Sequence, residues 1–209
     1  MIHAHTSIGK FSLIALALIV AMVGTSAHAA VFQATSDGDW NDTGTWSPTG
    51  LPTATDEAQI ANGATVSVKN LVSADIGLFK IGLEGVGATS SGTLVIDGGT
   101  LTESGTTGHM EIAVGGTAAV HGEIIISNDG TLDGNNQLRV GMGGGSALAT
   151  GVVRMSGANS FADAGNIYLG YGANSEGILH ISGGLVTTAG DFDLGNNASS
   201  SGTIYISGG

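Results

Sequence analysis

The 209-residue chain contains no cysteine, only two prolines and only five basic side chains. Without cysteine there is no disulfide framework, no thiolate zinc site and no cysteine nucleophile. Five basic residues against 17 acidic ones leave a net charge of −12. No basic surface is available to displace counterions from a phosphate backbone, so the expectation is no nucleic-acid partner. Aromatic residues make up 5% of the chain, too few for a core built on large rings. Charged residues reach 11%, where an ordinary domain carries roughly 25%. Glycine, at 37 residues, is what the chain has in excess. A hydrophobic fraction of 42% nevertheless argues for a folded chain. Glycine does not recur at every third position and proline is scarce, which excludes a collagen helix.

The first thirty residues read as an address. Lys10 precedes an apolar run from Phe11 to Val23, interrupted by Ser12. That run is too short for a membrane-spanning helix, which needs about 20 residues. Small residues and Ala27-His28-Ala29 follow, so residues 1–29 are expected to be a secretory signal peptide cleaved between Ala29 and Ala30. Cleavage removes Lys10 and no acid, and it leaves Lys69, Lys80, Arg139 and Arg154 as the basic residues. No second long apolar run follows, so no transmembrane segment is expected. The protein is expected to be exported, to the outer membrane, cell surface or extracellular space.

Beyond residue 77 the chain repeats itself. One motif reads apolar-x-apolar-Gly and places its glycines at Gly82, Gly115, Gly141, Gly170 and Gly195. A second begins with glycine and alternates: Gly92-Thr93-Leu94-Val95-Ile96-Asp97, then from Gly122, Gly151, Gly177 and Gly202. Both are short alternating strands bounded by turn formers. A weaker third strand follows at Thr100-Leu101-Thr102, Thr131-Leu132-Asp133, Ser160-Phe161-Ala162 and Leu185-Val186-Thr187. Three short strands per coil of ~25 residues predict an all-β fold, a right-handed parallel β-helix whose coils stack about 4.8 Å apart. Alternation sends Leu94/Ile96, Ile124/Ile126, Val153/Met155, Leu179/Ile181 and Ile204/Ile206 inward. Residues 30–77, with both tryptophans, Pro48 and Pro52, are expected to cap the lower end, and residues 78–209 to form about five coils. The chain stops at Ile206-Ser207-Gly208-Gly209 in mid-coil, so a truncated helix is expected, with self-association at its open end.

The stretch Ile167-Tyr168-Leu169-Gly170-Tyr171-Gly172-Ala173-Asn174-Ser175-Glu176-Gly177-Ile178-Leu179-His180-Ile181-Ser182-Gly183-Gly184 resembles the coils of bacterial autotransporter-type passenger proteins and of related exported proteins with a PEP-CTERM sorting signal. Gly157-Ala158-Asn159-Ser160-Phe161 is similar to the Gly-x-Gly-Ser-x-Trp turn of that family, with Asn and Phe in two of its positions. The resemblance spans about residues 78–209 and implies a structural or adhesive passenger without chemistry of its own.

Catalytic alternatives find little to stand on. A polysaccharide lyase needs a base beside an acidic calcium cluster, and the coils offer only Lys80, Arg139 and Arg154. The motif places Lys80 and Arg139 in one outward column with Ala113, Tyr168 and Asp193, and Arg154 in another with Val95, Ile125, His180 and Tyr205. His121-Gly122 is a lone echo of the polygalacturonases. Ser182, His180 and Asp191 lack the Gly-x-Ser-x-Gly elbow of a nucleophile. Asp37-Gly38-Asp39-Trp40-Asn41-Asp42 begins like an EF-hand loop but has neither its sixth-position Gly nor its final Glu. The expectation is therefore no catalytic, cofactor or metal residue, with weak surface Ca²⁺ binding at most. The candidate contact surface is the outward column Ile125, Arg154, His180 and Tyr205, with Tyr168 and Tyr171 on another side and Arg139 in the column of Tyr168, and the expected partners are glycans or other cell-surface components. A carbohydrate-active enzyme with its catalytic coils beyond Gly209 is the alternative.

Overall fold

The computed structural model describes residues 29–34, 36–86, 90–105, 108–158 and 160–208, so the expected signal peptide lies, apart from Ala29, outside the described residues. The chain winds through three parallel sheets, each coil adding one strand to each. The first sheet stacks Val31–Ala34, Glu57–Ile60, Leu78–Leu83, Met110–Gly115, Gln137–Gly143, Asn166–Leu169 and Phe192–Leu194. The second stacks Gly38–Asp39, Thr65–Lys69, Ser91–Asp97, Val120–Ser127, Ala149–Met155, Ser175–Ile181 and Ser200–Ile206. The third stacks Ser73–Ile76, Thr100–Glu103, Thr131–Gly134, Phe161–Ala164 and Leu185–Thr188. The architecture is a parallel β-helix of about six turns.

The core consists of one-coil-apart rows of like side chains. In the second sheet Val66, Leu94, Ile124, Val153 and Leu179 stack inward, and beside them run Val68, Ile96, Ile126 and Met155. The first sheet answers with Ile60, Ile81, Ile112, Val140 and Leu169. Every one of these is buried. At the upper end burial fails: Leu194 is 52% and Ile206 72% exposed, in the last strands of their sheets.

Where the first sheet passes to the second, the backbones nearly touch. Gly92, Gly122, Gly151, Gly177 and Gly202 form a single in-register column. A Cβ on Gly122 would strike the Ile81 carbonyl oxygen and lie 2.7 Å from the Ala113 nitrogen. The facing corner turns through the left-handed region, at Gly82 (φ 66°), Gly141 (φ 74°), Gly170 (φ 74°) and Gly195 (φ 68°).

Register corrects the expected alignment in one coil. Lys80 pairs with Glu111 and Ile81 with Ile112, so the left-handed corner of that coil is Ala113 (φ 59°), two residues before Gly115. The sequence motif slips there because alanine occupies the glycine position while Val114-Gly115 repeats the pattern just beyond it. Glu111, not Ala113, therefore stands between Lys80 and Arg139. The third strand shifts as well: Phe161 pairs with Thr131, and Ala162 lies beside Leu132 in the inward row.

Residues 30–77, expected as a cap, are themselves part of the coil pattern. Their strands continue all three sheets, while Trp46–Ser47 pairs antiparallel to Val31–Ala34 at the edge of the first. Trp40 and Trp46 are buried edge to face, centroids 5.0 Å apart, and the Trp46 indole nitrogen donates to the Trp40 carbonyl at 3.0 Å. Asp42 caps the short turn Thr43–Thr45 by accepting from the Gly44 nitrogen at 2.8 Å.

One acid sits in an inward row. Glu103 is fully buried, in register between Ile76 and Gly134, and accepts hydrogen bonds from the Asn136 amide at 3.1 and 3.2 Å. Burial pushes its carboxyl above the ordinary range, and the Asn136 bonds only partly offset this. A raised folded-state value means its favourable contribution is complete below the unfolded pKa and fades as pH rises through the folded one. Glu103→Gln is therefore expected to hold or raise the thermal midpoint at pH 7 and to lose that advantage near pH 4, as read by pH-dependent thermal melts. Gly122→Ala is expected to cost about 3 kcal/mol in urea unfolding, because backbone must move. Gly85→Ala, where φ is 79° but the space is open, should cost about 1 kcal/mol.

Candidate functional site

The outward face of the first sheet carries a polar ladder. Gln33 donates to Gln59 at 2.9 Å, Gln59 to Glu57 at 2.6 Å, and Lys80 pairs with the same Glu57 at 3.0 Å. One coil up, Arg139 reaches Glu111 at 3.2 Å and donates through Nε to Gln137 at 2.8 Å. Glu111 is only 7% exposed. Its burial raises the carboxyl pKa, opposed by the charges of Lys80 and Arg139 and by the Arg139 hydrogen bond. His109, two residues earlier, has a buried Nδ1 with no hydrogen-bond partner among the described residues, and burial followed by Arg139 lowers its pKa.

Aromatics finish this ladder. The backbone turns at Gly170 and the Tyr171 nitrogen bonds the Gly141 carbonyl at 2.9 Å, which brings the Tyr171 ring over the Arg139 guanidinium at 4.4 Å. Tyr168 stands in register with Arg139 and meets Tyr171 edge to face at 5.2 Å. The Asn166 amide donates to the Tyr168 hydroxyl at 3.1 Å. The same Asn166 lines a groove of about 330 Å³, with Asn135, Asn136 and Gln137 among its other walls.

The other expected residues occupy the second sheet. Arg154, His180 and Tyr205 are consecutive in register, and the His180 and Tyr205 rings stack 4.7 Å apart at 12°. Arg154 is drawn toward Glu123 at 2.6 Å. The five candidate residues thus form two separate patches: Arg139 and Tyr168 on one face, Arg154, His180 and Tyr205 on another. The structure joins Tyr171, expected beside Tyr168, to Arg139, and adds Glu111, which sequence reading missed through the register slip.

The carboxylates elsewhere reach across coils. Glu84 accepts from the Gly116, Thr117 and Ala118 backbone nitrogens and from the Thr117 hydroxyl, which together hold its pKa down. Asp97 accepts from Ser127 and Asn128, Asp163 from Thr187, and Asp75 from Ser104. In the segment that opens like an EF-hand loop, Asp37 accepts from the Thr65 nitrogen and Asp39 pairs with Lys69. Among the described residues, no three His, Asp or Glu side chains gather to hold a metal ion.

Comparison with protein-family models, curated proteins and solved structures finds no match to this chain.

The Glu111–Arg139 pair makes a stability prediction. Removing one partner of a buried ion pair strands the other charge. Arg139→Ala is expected to cost about 3 kcal/mol at pH 7 and distinctly less at pH 4, where Glu111 takes up a proton. Urea unfolding at the two pH values measures both.

Proposed function

We propose that this chain is an exported structural or adhesive β-helix that contacts glycans at a cell surface through repeated side-chain rows, without chemistry of its own. The observation that carries the reading is the Tyr168–Tyr171 pair, with Arg139 over the Tyr171 ring and the amides of Asn166 and Gln137 bonded to Tyr168 and Arg139. Aromatic faces cover the apolar face of a sugar ring, and amide groups beside them satisfy its hydroxyls. Side chains on successive coils stand about 4.8 Å apart, so neighbouring units of a chain-like ligand meet neighbouring rungs. The stacked His180–Tyr205 rings offer a second, independent contact on another face. Two weak contacts on one rod gain effective concentration when the ligand is itself repetitive.

Export is supported by the leader-like segment and by the way the fold is held. A cysteine-free chain secured by coil-to-coil hydrogen bonds and Gly-permitted close packing needs neither metal nor disulfide to keep its shape. The resemblance to autotransporter passengers and PEP-CTERM-associated repeats belongs to the same reading.

Glycan-array binding of the exported protein tests it, with saturable binding to an extended polysaccharide as the expected result. Replacing Tyr168 and Tyr171 together by Ala is expected to weaken that binding about tenfold, equivalent to ~1.4 kcal/mol. No binding across a broad panel sinks the adhesive reading. Release of oligosaccharides from a polyuronate would instead make the protein an enzyme.

A further inference from the structure

We propose that cleavage between Ala29 and Ala30 does more than remove a leader: the α-ammonium it creates on Ala30 binds the Asp56 carboxylate and fastens the first coil to the second. The receptor for that charge already exists. The Ala30 nitrogen donates to Asp56 Oδ1 at 2.9 Å, and the Ala30 carbonyl accepts from the Glu57 nitrogen at 2.8 Å. The other Asp56 oxygen is fixed by the Thr53 nitrogen at 2.9 Å and the Thr53 hydroxyl at 2.6 Å. Ala29 is exposed while Ala30 is half-buried, so the bond between them marks the passage from solvent to fold. It borders a groove of about 480 Å³ shaped by Ala54, Gly77 and Gly108, with small residues on either side of the peptide.

Hydrolysis adds one water across the Ala29 carbonyl–nitrogen bond. The carboxylate departs with the leader and the amine, protonated at neutral pH, stays on Ala30. As an amide that nitrogen offers Asp56 one hydrogen and no charge. As an ammonium it offers three hydrogens and a full positive charge at an unchanged position, and such charge-assisted bonds are roughly twice as strong as neutral ones. Burial raises the Asp56 pKa, but the Thr53 hydroxyl, the Ala30 nitrogen and the Thr53 nitrogen outweigh it and hold the group below its ordinary value, so it is ionised at neutral pH.

The charged and titratable groups on the elements packed around this corner are Glu57, Lys80, Asp75, Glu103 and His109. Lys80 is committed to Glu57, and Asp75 is bonded by Ser104.

The α-amine then carries a raised folded-state pKa. Its contribution is complete below the unfolded value of about 7.7–8.0 and is lost as pH rises through the folded value. Asp56, with a lowered pKa, contributes above about 3.9 and fades as pH falls through its folded value.

The test uses the full chain with its leader, produced in an exporting bacterial host and recovered from outside the inner membrane. N-terminal sequencing and intact mass are expected to place the first residue at Ala30. Competitive acetylation followed across pH is expected to show an α-amine raised by about one pH unit, returning to about 7.7–8.0 in Asp56→Asn. An α-amine titrating at its ordinary value in the unaltered protein overturns the ion pair, and that measurement decides alone if Asp56→Asn does not fold. The inference rests on the export reading for its cleavage step. A chain recovered with its leader intact overturns both; a chain processed at another bond, or at Ala30 with an ordinary α-amine, overturns this inference and leaves export standing.

Discussion

The close approach of two backbones at one corner governs this molecule. Where each strand of the first sheet gives way to the second, the glycine at the start of the second lies against the carbonyl oxygens and nitrogens of the first. No side chain fits, and the facing residue has to turn through positive φ. Two glycine-type positions per coil follow, and so does much of the glycine excess. The same closeness narrows the interior. A narrow interior takes aliphatic rows stacked on themselves, Ile on Ile and Val on Leu, and leaves little room for large rings. The two tryptophans are buried at the lower end, where the coil pattern is interrupted by an antiparallel strand and a short turn.

That constraint also decides what could be read from the sequence. The second-sheet strands are flanked by the close-packed glycines and alternate cleanly, so their inward rows and the Val95–Ile125–Arg154–His180–Tyr205 column stand in the structure as the spacing predicts. The first sheet is harder because its corner asks for a conformation, not for a residue type. Ala113 accepts φ 59° in a buried setting, and a motif search that follows glycine lands on Gly115 instead. One such slip moved Glu111 out of the column it belongs to and hid the pairing with Arg139. Tyr171 is legible as an outward aromatic beside Tyr168, but its contact with Arg139 is not: the ring meets a guanidinium 32 positions earlier, a contact that only stacking of coils creates. Glu103 breaks the alternation rule outright, and its amide partner Asn136 lies a full coil away.

A chain with 17 acids and five basic residues has few ion pairs with which to neutralise itself. The acids are used otherwise. Glu84, Asp97, Asp163 and Asp75 each accept hydrogen bonds from the next coil, so the corners are tied by carboxylate-to-backbone and carboxylate-to-hydroxyl contacts. Such bonds need no cation beside the acceptor. The negative charge that reads as a surface property in the composition is therefore part of how successive coils hold register. It also leaves the chain with a net charge of −12.

With the interior fixed by glycine contacts and aliphatic rows, recognition is confined to the outward positions. Those positions come in columns, one residue per coil, and a column changes character only where a substitution leaves the core untouched. The outward rings that meet one another lie in the upper coils, Tyr168 and Tyr171 at the first sheet and its corner and His180 and Tyr205 on the second. Because the two groups face different directions, a small compact ligand would meet one of them at a time. On the proposed reading, a long, repetitive ligand would follow one column or wrap to the second, and each added rung would raise the total affinity without requiring any single contact to be strong. Weak rungs in fixed register are what a solenoid can vary most cheaply, since each outward residue can change without disturbing the stack beneath it.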